Sequence, residues 1–104
     1  MPVTELKSIE AIEKAKQGEG LIVIDFFATW CGPCKRLSPI LLKLSAEHKK
    51  ATFYKVNLDD GEAICAKYKI NSMPTVLLIK KGKTLKKIVG FDEGEIVSGL
   101  LKYE

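Results

Sequence analysis

The segment Leu21–Cys34, LIVIDFFATWCGPC, limits the possible folds more than any other part of the chain. Leu21–Phe27 has no polar face, because apolar residues occupy both even and odd positions, and Asp25 is the one exception. A run of this kind suits a strand covered on both sides, as at the centre of an α/β sheet. Cys31-Gly32-Pro33-Cys34 follows almost at once, and a helical pattern comes next. Leu37, Ile40, Leu41 and Leu44 fall at i, i+3, i+4 and i+7 and predict a helix from about Cys34 to His48. Pro39 lies inside that helix and is expected to kink it.

The remaining segments complete the pattern. Val3–Leu6 reads as a short strand, and Ser8 as the N-cap of a helix that carries Ile9, Ile12 and Ala15 and stops near Gly18. ATFYKVNL is a third strand, followed by a short helix capped by Asp59 or Asp60, with Ile64, Cys65 and Tyr68 on one side. TVLLIK and TLKKIV flank Lys81-Gly82-Lys83 as a tight hairpin. Asp92 with Glu95 resembles a capping box opening a last helix, with Ile96, Leu100 and Leu101 inward and Gly94 and Gly99 weakening it. The order βαβαβαββα predicts an α/β fold with a central mixed sheet of about five strands flanked by four helices. At 104 residues, positions 1–104 are expected to form a single domain.

Hydrophobic residues make up 46% and charged residues 29%, a balance that excludes a disordered chain. The N-terminal MPVTELKSIE has no apolar h-region, and Leu21–Ala28 is too short to span a bilayer. The expected compartment is therefore the cytoplasm, and no membrane contact is expected. There, cysteines are held reduced, and a Cys-x-x-Cys pair points to catalysis or metal binding rather than to a permanent staple. The net charge of +4 is concentrated in Lys80, Lys81, Lys83, Lys86 and Lys87. No aromatic residue interleaves them as nucleic-acid stacking would need, so they read as a solvated edge that resists pairing with other chains.

A helix N-terminus leaves N–H groups unpaired and carries partial positive charge, so a thiolate there is stabilised. Pro33 suits the first helical turn, and Gly32 is expected to let the chain bend between strand and helix. Cys31, the outer thiol, is expected to be the nucleophile, and Cys34 to resolve the mixed disulfide that results. A zinc site built from Cys31, Cys34, Cys65 and His48 has enough ligands, but there is no second pair with metal-ligand spacing, and none is expected. Asp25 should be desolvated, with a raised pKa suited to a proton acceptor for Cys34; a structural carboxylate satisfied by backbone donors is the competing reading.

FFATWCGPCK resembles the active-site segment of the thioredoxin family, and the resemblance covers essentially the whole chain. Asp25, Lys55, Pro74 in a Met-Pro pair, Gly82 and Gly90 agree with it, and that family is itself a standard instance of a lowered Cys-x-x-Cys pKa. The resemblance implies a thioredoxin fold and a redox carrier with protein-disulfide reductase activity. It also implies recycling by a flavoprotein thioredoxin reductase that draws on NADPH, with no cofactor bound to this chain. It further implies a cis Met73–Pro74 bond facing the cysteines, whose Met73 backbone pairs with an extended substrate. In it, Lys55 lies near Asp25 and modulates it, while Trp30 and Gly90 form a docking surface. Against these stand plainer readings: Trp30 as a core aromatic, Lys55 as a solvent-facing lysine and Gly90 as a turn. His48 is expected at a helix end, and Cys65 is read as a small buried residue, with regulatory oxidation as the other reading. The expected partners are the reductase and oxidised proteins, and the chain is expected to be a monomer. A glutathione-dependent glutaredoxin and a non-catalytic interaction module are the alternative functions.

Overall fold

In the computed structural model, which describes residues 2–59 and 61–104, the elements follow the expected order. They are β1 (Val3–Glu5), α1 (Ile9–Lys16), β2 (Leu21–Phe27), α2 (Gly32–Glu47), β3 (Ala51–Asn57), α3 (Glu62–Tyr68), β4 (Thr75–Lys80), β5 (Lys83–Val89) and α4 (Glu93–Tyr103). The strands form one sheet in the order β1-β3-β2-β4-β5. β1, β3 and β2 run parallel, while β4 pairs antiparallel with both β2 and β5.

β2 is central and covered on both faces, which explains its composition. Ile22, Ile24 and Phe26 join one core layer with Ile12 and Ala15 of α1 and Ile64 of α3. Leu21 and Val23 join the opposite layer with Leu37, Leu41 and Leu44 of α2 and Ile96 and Leu100 of α4. Strand side chains alternate in direction, so Asp25 continues the Leu21–Val23 row towards the α2 side.

Local signals set the element ends. Ser8 Oγ accepts the Ala11 N–H at 3.0 Å, and Asp92 Oδ1 accepts the Glu95 N–H at 3.1 Å. The hairpin turns on Lys81 (φ 54°) and Gly82 (φ 76°), the pair of positive φ values that matches the twist of its strands. α2 continues through Pro39, whose missing N–H leaves the Lys35 carbonyl without its usual helical partner.

Some expectations about the elements differ from the structure. α3 has Gly61 at its N-cap with no side-chain cap bond. Asp60 lies outside the described residues, and Asp59 instead accepts the Thr29 N–H (3.4 Å) and its hydroxyl. Leu101 is 70% exposed rather than inward, because it stands a third of a turn beyond Leu100. Gly99 is a packing requirement, not only a weakness: a Cβ there would overlap the Leu78 side chain, so its absence lets α4 approach the sheet.

Candidate functional site

The Ala28–Cys31 turn, closed by the Cys31 N–H donating to Ala28 O at 3.2 Å, delivers the chain from β2 into α2. Cys31 is the N-cap, and its Sγ accepts the Cys34 N–H at 3.2 Å. The sulfur thus takes the place a serine or aspartate oxygen holds at other helix starts. α2 therefore begins two residues before the expected Cys34, with Pro33 in its first turn. Cys31 and Cys34 are joined as a disulfide, their Cα atoms 5.3 Å apart, within the usual span of such a bond. The expected tight bend between strand and helix does not depend on a glycine at this position. Gly32 opens α2 without a positive φ, and a Cβ there would meet nothing within 4 Å.

Exposure does not separate the two cysteines: Cys31 is 5% and Cys34 3% accessible. Their surroundings do. Cys31 Sγ lies 3.6 Å from the Met73 carbonyl oxygen, at a Met73–Pro74 bond that is cis. The Pro74 carbonyl in turn accepts the Gly90 N–H at 2.8 Å, so the β5–α4 loop is tied to the same place. Gly90 has φ +88°, which favours glycine, and nothing stands where its side chain would be. Trp30, next to Cys31 in the chain, is 72% exposed and not a core aromatic.

Cys34 has other neighbours. It lines a cavity of ≈ 270 Å³ with Asp25, Thr29, Lys35, Ser38 and Lys55. Asp25 and Lys55 are register partners across β2 and β3, which brings the lysine to the carboxylate. Asp25 is 4% accessible, and its Oδ1 has no hydrogen-bond partner among the described residues. Burial disfavours its charged form and raises its pKa from 3.8 to about 7, with Lys55 pulling the other way. The structure therefore brings Asp25, Cys34 and Lys55 to one cavity and gathers Cys31, Met73 and Gly90 beside the cis Met73–Pro74 bond.

Some residues of this region were not anticipated. Arg36 lies over the Phe91 ring, 5.4 Å from its centroid, and joins α2 to the loop after Gly90. Thr29 is held by Asp59, and no spacing in the sequence announces that pair. Ser38 had a legible signal, since it follows Cys34 by four residues on one helix. The four residues counted for zinc are not assembled. His48 Nδ1 meets Glu104 Oε1 at 2.6 Å at the C-terminal end of α2, and Cys65 lies on α3. Among the described residues, no group of three or more His, Cys, Asp or Glu is placed to hold a metal. Nor, among them, is any helix long and apolar enough to cross a membrane.

The description of the thioredoxin family matches residues 3–102. The chain belongs to the thioredoxin family. Thioredoxin-1 of Saccharomyces cerevisiae is 39% identical over 94 residues, covering 90% of this chain and 91% of its own length. Thioredoxin of Mycoplasma genitalium is 40% identical over 89 residues, covering 86% and 87%. The crystal structure of a thioredoxin from Nicotiana alata superposes with a TM-score of 0.91 at 34% identity, covering 99% of this chain and 93% of that one. Membership in this family and the Cys31–Cys34 disulfide together support dithiol–disulfide oxidoreductase chemistry, and thioredoxins generally work with a thioredoxin reductase and disulfide-bearing proteins.

Cys65, the third cysteine, is half-buried rather than buried, and packs against the layer formed with α1 and α3. That layer lies across the sheet from α2. Cys65→Ser is expected to retain most insulin-disulfide reduction. A loss as large as that of Cys31→Ser, in a variant with native circular dichroism, contradicts this placement.

Proposed function

We propose that this chain reduces protein disulfides through Cys31 and Cys34, by way of a mixed disulfide, and is recycled by an NADPH-dependent flavoprotein thioredoxin reductase. The observation that carries the reading is the position of Cys31 Sγ. It sits on the N-terminus of α2, accepts the Cys34 N–H and lies beside the Met73 carbonyl. The first two features stabilise a thiolate. The third offers a backbone group against which an extended substrate chain can align. Trp30 and Gly90 border the substrate, one as an apolar contact and the other as a surface with no side chain.

In the reaction, the Cys31 thiolate attacks a substrate disulfide, forms a bond to one sulfur and expels the other as a thiolate. Cys34 then loses its proton to Asp25, with Lys55 moderating the carboxylate, and attacks Cys31 Sγ. The Cys31–Cys34 bond forms, the bond to substrate breaks, and the second substrate sulfur leaves with the electron pair. Two electrons pass from this chain to the substrate. The chain acts as a cytoplasmic monomer, and NADPH and flavin belong to the reductase.

Insulin-disulfide reduction tests the reading. NADPH with thioredoxin reductase should sustain turnover, and glutathione with its own reductase should not. Turnover on glutathione alone assigns a glutaredoxin activity. No turnover from either source assigns an interaction module.

A further inference from the structure

The wall between two cavities holds a residue that the mechanism above does not use. Beside the ≈ 270 Å³ cavity lies a second of ≈ 420 Å³, and Asp25, Ser38 and Lys55 line both. Both open to solvent, the first past the exposed Thr29 and Lys35 and the second past the exposed Pro2 and Leu42; of the two, only the first is lined by Cys34. Each has room for water, since a single molecule needs roughly 10–15 Å³. A proton passing between Cys34 and Asp25, or from Asp25 to bulk, therefore has room to travel through water.

Such a relay needs a group that both accepts and donates. Of the polar groups on the first cavity, Lys35 and Lys55 donate only, through their ammonium groups. The Thr29 hydroxyl is committed to Asp59. Phe27 and Ala28 supply apolar wall. Ser38 remains. Its neighbour in type on the same helix, Ser45, returns its hydroxyl to Leu42 O at 2.7 Å. Among the described residues, the Ser38 hydroxyl has no such partner. Ser38 stands one turn after Cys34 on the same side of α2, where its hydroxyl can accept from one water and donate to the next.

We propose that Ser38 is a positioning residue for the resolving step, holding the water through which the Cys34 proton reaches Asp25 and then leaves to solvent. This inference rests on the reading of Asp25 as proton acceptor. The titratable groups facing the path are Asp25 on β2, Lys55 on β3, and Cys34 and Lys35 on α2.

The experiment mixes reduced protein with excess insulin from pH 6 to 9, quenches with acid and follows the mixed disulfide by mass spectrometry. Ser38→Ala should slow resolution roughly tenfold near neutral pH, a part of the 10²–10⁴-fold typical of a positioned acid or base. The mixed disulfide should accumulate, and the difference should shrink towards pH 9 as hydroxide replaces the relay. Ser38→Thr, which keeps the hydroxyl, should restore the rate. In an Asp25→Asn background, Ser38→Ala should add no further slowing. If Asp25→Asn is slow but Ser38→Ala follows the unsubstituted protein at every pH, the relay through Ser38 is wrong and the role of Asp25 survives. Equal slowing by Ser38→Ala in both backgrounds overturns the coupling. If Asp25→Asn itself resolves at the normal rate, the proton-acceptor reading falls and this inference falls with it.

Discussion

Cys31→Ser should reduce no insulin above the uncatalysed background, while Cys34→Ser should accumulate a one-to-one mixed disulfide with substrate. Both variants lose turnover, and the trapped species tells them apart. Cys31 Sγ stands where positive charge and the N–H donated by Cys34 favour a thiolate, and it lies 3.6 Å from the Met73 carbonyl oxygen. Losing it removes the first attack, so no substrate becomes attached. Cys34 lines a cavity with Asp25, and on the proposed reading its thiol gives its proton to that carboxylate rather than meeting an incoming chain. Losing it leaves the first attack intact and removes the second. Because the two residues are almost equally buried, access alone does not predict this order; the helix terminus and the cavity do. Non-reducing electrophoresis and intact-mass measurement check it. An adduct carried by Cys34 in Cys31→Ser, with none in Cys34→Ser, reverses the two roles.

What the sequence made legible divides along a physical line. β2 was readable to the residue, since a strand covered on both faces must be apolar on both faces. The caps at Ser8 and Asp92 were readable because a side-chain oxygen three residues before an unpaired N–H is a local event. The apolar stripe, which begins at Leu37, put the start of α2 about two residues late, although Pro33 marked its first turn; the capping atom is a sulfur, which no oxygen-based rule announces. The burial of Gly99 against Leu78 depends on how closely α4 meets the sheet, a distance that helix propensity does not contain. At the site, the Cys31–Cys34 turn and the oddness of Asp25 stood out locally. The register that sets Asp25 beside Lys55 and the contact of Cys31 with Met73 join segments far apart in the chain. Only the resemblance to a known family suggested them in advance. The Thr29–Asp59 pair and the stacking of Arg36 on Phe91 had neither kind of signal.

Asp25→Asn should make the oxidised protein more stable at pH 8 and slower to resolve mixed disulfides. The sign of the stability change follows from linkage. The folded protein holds the Asp25 proton up to about pH 7, whereas the unfolded chain releases it near 3.8. Between those values the native state binds more protons, so stability contributed by this group falls as pH rises. The penalty is absent below about pH 4 and complete above about pH 7. A difference from 3.8 to about 7 corresponds to about 4 kcal/mol for a group this buried. The amide cannot ionise, so Asp25→Asn escapes that penalty, and a gain of roughly 2–4 kcal/mol is expected at pH 8. Near pH 4 both side chains are neutral and similar in shape, and the two proteins should nearly coincide. Turnover should move the other way, because an amide accepts no proton from Cys34. Resolution should slow by about 10²-fold near neutral pH, the lower end for loss of a positioned base. Urea midpoints of the oxidised proteins from pH 4 to 9, with mixed-disulfide resolution rates over the upper half of that range, measure both effects. A structural carboxylate held by backbone donors predicts the reverse pattern: lower stability for Asp25→Asn at every pH and unchanged resolution. That pattern would return Asp25 to the fold and leave the Cys34 proton to water alone.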